Sequence, residues 1–201
     1  MTKVKVCGIR REEEARWAIE AGADAVGFVF ADSKRRIDVE SAARISASLP
    51  AHIWKIGVFV NESKEKLKEI YRTVNLDYVQ LHGDESVFFA EDLDLPYIKV
   101  ISVKEKEDIY GIDQCPGGII LLDSGKGPYR GGNGTTFNWD YVDAGSFPQQ
   151  LILAGGLNPD NVREAITKVR PYMVDVSSGV ETDGRKDRLK IESFIREAKS
   201  V

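Results

Sequence analysis

The chain has 201 residues, 42% hydrophobic, 30% charged and 9% aromatic, which is enough apolar surface to bury a core and too much for a disordered chain. Its 28 basic and 32 acidic side chains leave a formal charge of -4, so there is no basic field to hold nucleic acid or an anionic membrane, and any bound anion must be gripped locally. Two cysteines and two histidines exclude a disulfide framework and a ligand-rich zinc cluster.

The N-terminal segment becomes charged before a signal-peptide core could form, and no apolar run is long enough to cross a bilayer. These features predict a cytoplasmic chain, in which the sequons at Asn61 and Asn133 are chance matches. Eight short apolar runs follow in order: KVKVC, ADAVGFVF, WKIGVFV, YVQL, YIKV, GIILL, LILA and MVDVS. Near-continuous runs without polar alternation suit strands covered on both faces.

Helical stripes at i, i+3, i+4, i+7 fall on Ala15, Ala18, Ile19 and Gly22, then on Leu67, Ile70, Tyr71 and Val74. Later stripes fall on Val162, Ala165, Ile166 and Val169, and on Ile191, Phe194, Ile195 and Ala198. Gly22 reads as a helix C-terminal glycine, and Asn158-Pro159 as N-cap and first helical residue. Lys104 to Tyr110 reads as a short helix, and Ser86 to Leu93 is only moderately periodic. Eight units of about 25 residues each predict an α/β chain whose residues 1–201 form one domain, a closed (β/α)8 (TIM) barrel of near-minimal length. An open doubly wound sheet is the rival, disfavoured by the lack of GxGxxG after the first strand.

In a barrel the chemistry belongs where strands end. Cys7 ends the first strand beside Gly8; a free strand cysteine is commonly a small core residue, but here, with a glycine admitting a ligand, it could serve as general base or nucleophile. Asp123 ends the sixth strand and reads as a general acid or base, or as a loop cap. Paired with Cys7 it points to proton transfer at two positions of one substrate, isomerase chemistry that needs no cofactor and no metal. His82 either competes as base or is a satisfied hydrogen-bonding residue. Cys115 precedes the sixth strand and belongs at the opposite end of the barrel.

Gly155-Gly156 and Ser178-Gly179 expose backbone amides after strands seven and eight, where barrels place phosphate; tight turns are the plainer reading of either loop alone. The glycine-rich stretch between Ser124 and Thr136, with Lys126, Tyr129 and Arg130, reads as a lid, not a nucleotide-binding loop. Lys34, Arg35 and Arg36 are either solvated surface or, at a strand end, a grip on a substrate carboxylate.

Taken in order, KVCGI, GADAVGFVF with SKRRI, GVFVN, VQLHGDE, LLD with GGNGTTFNW, LAGGLNPDNV and DVSSGVE with GRKD resemble the blocks of the phosphoribosylanthranilate isomerase family over nearly the whole chain. The resemblance implies a tryptophan-biosynthesis enzyme that converts N-(5'-phosphoribosyl)anthranilate to 1-(2-carboxyphenylamino)-1-deoxyribulose 5-phosphate by an Amadori rearrangement. It implies that Asp123 is the general acid and Cys7 the general base, with phosphate on Gly155, Gly156, Ser178 and Gly179. The substrate carboxylate falls to Arg35, or to Arg36 if the register is one residue off, because an uncharged residue is usual at Arg36. Asp175 matches the family's eighth-strand aspartate, either a ribose-hydroxyl contact or a structural partner. Arg10 replaces a threonine-like residue, and its charge would favour a Cys7 thiolate. The family includes monomers and dimers, so a homodimer is open.

Two other readings stand beside this one. Another phosphosugar barrel would need either more histidines for a metal or a second phosphate site. A binding protein without catalysis is opposed by the intact Cys7 and Asp123.

Overall fold

Eight parallel strands close on themselves in chain order in this computed structural model, which describes residues 1–110, 112, 118–124, 136–142, 145 and 147–201. They are β1 (Lys3–Cys7), β2 (Ala25–Val29), β3 (Trp54–Phe59), β4 (Tyr78–Leu81), β5 (Tyr97–Val103), β6 (Ile119–Ser124), β7 (Gln150–Leu153) and β8 (Met173–Val176). Closure is made by β1 pairing β8 from Lys3↔Met173 to Val6↔Val176, which removes the open-sheet alternative. Every residue of β2 and β6 is buried, as expected of strands with a barrel interior on one side and helices on the other.

The α-helices are α1 (Glu12–Ala21), α2 (Val39–Ala47), α3 (Lys64–Val74), α4 (Val87–Glu91), α5 (Val162–Val169) and α6 (Arg188–Lys199). Their apolar stripes face the barrel: Leu67, Ile70 and Val74 of α3, Val162, Ala165, Ile166 and Val169 of α5, and Ile191, Phe194, Ile195 and Ala198 of α6 are all buried. Gly22 ends α1 with φ 100°, while Ser63, Ser86 and Asp187 side chains cap α3, α4 and α6.

Two expectations need correction. First, α5 starts at Val162, not Pro159. The Asn158 carboxamide accepts from Asp160 N–H at 2.9 Å, and Asn161 Oδ1 accepts from Asn158 N–H at 2.9 Å, so the asparagines build a turn before the helix. Second, the segment Lys106–Ile109 is a single 3₁₀ turn. It buries Ile109 alone, too little apolar surface to hold a longer helix.

Inside the barrel, Ala25, Ile56, Ile98, Leu121, Ile152 and Met173 form the core. Trp54, Tyr78 and Tyr172 pack against its N-terminal end, with the Lys3 ammonium 4.5 Å from the Trp54 ring centroid and 5.0 Å from that of Tyr172. At the other end a small hairpin follows β8, in which β9 (Glu181–Thr182) pairs antiparallel with β10 (Arg185–Lys186). Asp183 and Gly184 turn it with φ 51° and 74°, the positive pair that a tight hairpin turn requires. Among the described residues no helix is long and apolar enough to cross a membrane.

Candidate active site

A cavity of about 470 Å³ opens at the C-terminal end of the strands. Cys7, Arg35, His82, Asp123, Gly155, Gly156, Asp175 and Ser178 all line it, with Gln80, Ser177 and the apolar Val29, Val58 and Leu157. Residues far apart in sequence thus meet at one rim, because parallel closure brings every strand end to the same face. Arg36 is exposed and does not line the cavity. Gly179 does not line it either; a Cβ there would stand 1.9 Å from Leu157 O, so this glycine lets the two loops after β7 and β8 press together. Cys115, Asn133, Lys126, Tyr129, Arg130 and most of the expected lid lie outside the described residues.

Cys7 is 7% exposed. Gly27, its register partner on β2, leaves room for it: a Cβ on Gly27 would fall 2.7 Å from Sγ. Burial is the largest influence on the thiol and pushes its pKa up from 9.0, while Lys5 and Lys186 act in the opposite direction. Lys5 and Lys186 are the leading cations acting on Cys7, and the Arg10 charge is engaged with backbone carbonyls. Its guanidinium donates to Lys34 O at 2.8 Å and Gly184 O at 2.7 Å, tying the loop after β2 to the hairpin. Gly8, with φ 81°, has a structural use as well. A Cβ there would meet Arg35 Cδ at 2.7 Å, so the missing side chain makes space for the arginine stem.

Below the thiol lies a buried polar cluster. Lys5, with no exposed surface, donates to Asp175 Oδ2 at 2.9 Å and to Gln80 Oε1 at 3.0 Å. Lys5 and Asp175 are register partners on β1 and β8, hence neighbours on the same inner face. Burial opposes the lysine's charge, yet attraction to Asp175 and Cys7 more than offsets it and raises its pKa. Asp175 Oδ1 has no partner among the described residues.

Asp123 is 5% exposed. His82 Nε2 stands 3.4 Å from its Oδ2 without closing a hydrogen bond, and its Oδ1 has no partner among the described residues. The Asp123 carboxyl thus keeps an oxygen available to a molecule bound in the cavity. Gly155, with φ 82°, makes the room: a Cβ would come within 2.9 Å of Asp123 Oδ1 and 2.4 Å of Ser124 N.

Arg35 packs its fork on Glu181, Nε to Oε1 at 2.7 Å and Nη2 to Oε2 at 2.8 Å. Glu181 also accepts from Lys186 Nζ at 2.8 Å, and Lys186 donates on to Ser177 O at 2.9 Å. Burial would raise the Glu181 carboxyl, but the Arg35 hydrogen bonds and the Lys186 charge outweigh it and hold the pKa at about 2. Two cations and one anion leave this cluster one net positive charge. Across the cavity, Gly155 and Gly156 both have positive φ. Gly156 O accepts from the Asn158 and Asn161 carboxamides, while the N–H groups of both glycines have no acceptor among the described residues.

The sequence profile described as N-(5'phosphoribosyl)anthranilate (PRA) isomerase matches residues 4–197. The chain belongs to this isomerase family. An N-(5'-phosphoribosyl)anthranilate isomerase of Bacillus cereus (strain G9842) is 50% identical over 201 residues, with 98% of each chain covered. The crystal structure of phosphoribosyl anthranilate isomerase from Thermotoga maritima superposes with a TM-score of 0.91 at 43% identity, covering both chains fully. A phosphoribosyl anthranilate isomerase in complex with reduced 1-(o-carboxyphenylamino)-1-deoxyribulose 5-phosphate gives 0.87 at 42% identity, again over both whole chains. The isomerase fold is therefore the TIM barrel expected from the eight runs.

Sequence reading left Lys5, Gln80, Glu181 and Lys186 of this isomerase unassigned. Lys5 carried a signal, a lysine two residues before Cys7 in an apolar strand and so on the same face. Gln80 carried the corresponding signal two residues before His82. Glu181 and Lys186 carried only the Asp-Gly turn between them.

Proposed function

We propose that the chain catalyses the Amadori rearrangement of N-(5'-phosphoribosyl)anthranilate to 1-(2-carboxyphenylamino)-1-deoxyribulose 5-phosphate, as a cytoplasmic enzyme of tryptophan biosynthesis. The observation that carries this reading is the convergence of the Cys7 thiol and the open Asp123 carboxyl on one cavity, between an amide-lined end and a cationic end. Asp123 in its acid form protonates the ribose ring oxygen, and the C1'–O bond breaks to give an open-chain iminium. Cys7 as thiolate takes the C2' proton, and the C–H electron pair forms the C1'–C2' double bond of an enolamine. That enolamine tautomerises to the ketone. C1' is reduced as C2' is oxidised within one molecule, so no redox cofactor enters, and the proton lost by Asp123 is matched by the one gained by Cys7.

Arg35, not Arg36, takes the anthranilate carboxylate, supported by its place in the cavity lining and by the net positive charge of its cluster. The amides of Gly155, Gly156 and Ser178 take the phosphate, while Gly179 packs the loop after β8 against Leu157. Asp175 offers Oδ1 to a ribose hydroxyl while Lys5 holds Oδ2. His82 lies against Asp123 as its partner and completes the substrate contacts.

The test is to mix purified protein with freshly made phosphoribosylanthranilate, without added metal, and follow the loss of substrate fluorescence. Turnover is expected, and a flat trace defeats the reading. Cys7→Ser and Asp123→Asn are each expected to lower kcat by about a hundredfold to ten-thousandfold with KM little changed. Near-normal turnover in both would remove the assigned roles.

A further inference from the structure

Gln80 is 2% exposed and stands between the two halves of the site. Its Oε1 accepts from Lys5 Nζ at 3.0 Å, and its Nε2 lies 3.2 Å from His82 Nδ1. Beyond these ends, Lys5 holds Asp175 at 2.9 Å and His82 Nε2 faces Asp123 Oδ2 at 3.4 Å. A line of polar side chains thus runs Asp175, Lys5, Gln80, His82, Asp123 across the barrel, from β8 and β1 through β4 to β6, hydrogen-bonded as far as His82 and facing Asp123 at 3.4 Å.

Its polarity follows from one donor that cannot be reversed. An ammonium has three donors and no acceptor, so the carboxamide must turn its oxygen to Lys5 and its N–H to His82. The imidazole nitrogen facing that N–H must then accept, so Nδ1 carries no proton. A neutral ring keeps its single proton on the other nitrogen, Nε2, the one facing Asp123.

We propose that Gln80 is a positioning residue that transmits the lysine's polarity to His82 and fixes it as the Nε2–H tautomer, with its donor aimed at Asp123. The consequence for catalysis rests on the isomerase reading above. Once Asp123 has given its proton to the ring oxygen, the carboxylate left behind faces an N–H that is already in place, and its charge is met without reorganisation. With the opposite tautomer, an imidazole lone pair would face the new anion and oppose it.

The experiment uses the whole chain labelled with ¹⁵N-histidine. With two histidines, His52 and His82, a His82→Asn spectrum assigns the signals. The expected result for wild type at neutral pH is a pyridine-like Nδ1 and a pyrrole-like Nε2 for His82. A pyrrole-like Nδ1 overturns the proposal, whatever the protein's activity. In Gln80→Glu, a carboxylate of the same shape accepts from both sides, so His82 should move to a protonated Nδ1, and kcat should fall about tenfold or more with a smaller change in KM. Retention of the Nε2–H tautomer and of wild-type kcat in that variant also overturns it. If Gln80→Glu does not fold, Lys5→Met in the labelled protein reads the same link: the carboxamide is released, and a tautomer that stays fixed there refutes the transmission. Failure of wild type to consume phosphoribosylanthranilate would count against the reaction and leave the tautomer measurement standing.

Discussion

At Cys7 two opposing influences meet, burial that disfavours the thiolate and cations that favour it. The charged groups acting on the thiol are Lys5, Asp175 and Lys186, with Arg35 also coupled to it. Because burial raises the thiol pKa from its ordinary value, iodoacetamide alkylation of Cys7, which needs only the thiolate, should rise with pH through the neutral range. Removing a cation raises that pKa further. Lys5→Met is therefore expected to move the rising limb of iodoacetamide alkylation to higher pH, lowering it about tenfold or more at pH 7, and to lower the level of kcat/KM there by a similar factor. An unmoved limb in folded variant protein would show that Lys5 does not support the base. Gly27 gives a steric test of the same thiol. In Gly27→Ala the new methyl would lie 2.7 Å from Sγ, which should cost about 1–3 kcal/mol of stability and displace the thiol enough to lower kcat about tenfold. A variant with a lowered Tm and unchanged kcat would show that the thiol tolerates displacement.

Among the elements, the β9–β10 hairpin has the largest consequence for its size. It supplies Glu181 and Lys186, and its turn carbonyl at Gly184 receives Arg10. Glu181 is held at about 2 in the folded protein, below its ordinary 4.5. A depressed carboxylate contributes stability that is complete above the unfolded value and is lost as pH falls through the folded one. Thermal melts should therefore show Tm falling between about pH 4.5 and pH 2, with a smaller fall in Glu181→Gln. Equal falls in the two proteins would remove this ion pair from the acid transition. Helix α6 offers the contrasting case, since its signal is the buried apolar stripe Ile191, Phe194, Ile195 and Ala198. Its stripe was readable at 3.6-residue spacing because a helix covering a barrel must be apolar on one face only.

The whole barrel separates stability from chemistry along its axis. Trp54, Tyr78, Tyr172 and Lys3 plug the N-terminal end, while the reactive groups gather at the other. Trp54→Ala is expected to remove about 3 kcal/mol, a Tm loss of about 10 °C, with kcat within about twofold of wild type at a temperature where both are folded. A large kcat loss at unchanged Tm would mean that the two ends are coupled.

Strand positions, the stripes of α3, α5 and α6, and the strand-end places of Cys7, His82, Asp123 and Asp175 were legible in the sequence by itself. All of them follow from periodicity and from the rule that strand ends carry barrel chemistry. The start of α5 was not, because Asn158 and Asn161 compete for the same backbone with side-chain hydrogen bonds that only the folded turn ranks. Arg35 could not be separated from Arg36 by composition, since both are arginines in one loop; burial of one against Glu181 and exposure of the other distinguishes them. Tertiary structure alone decided the partners of the buried charges. Lys5 meets Asp175 because β1 closes on β8, and it meets Gln80 across the barrel interior. Such contacts depend on register and closure, and no local spacing encodes a pairing between residues 170 positions apart.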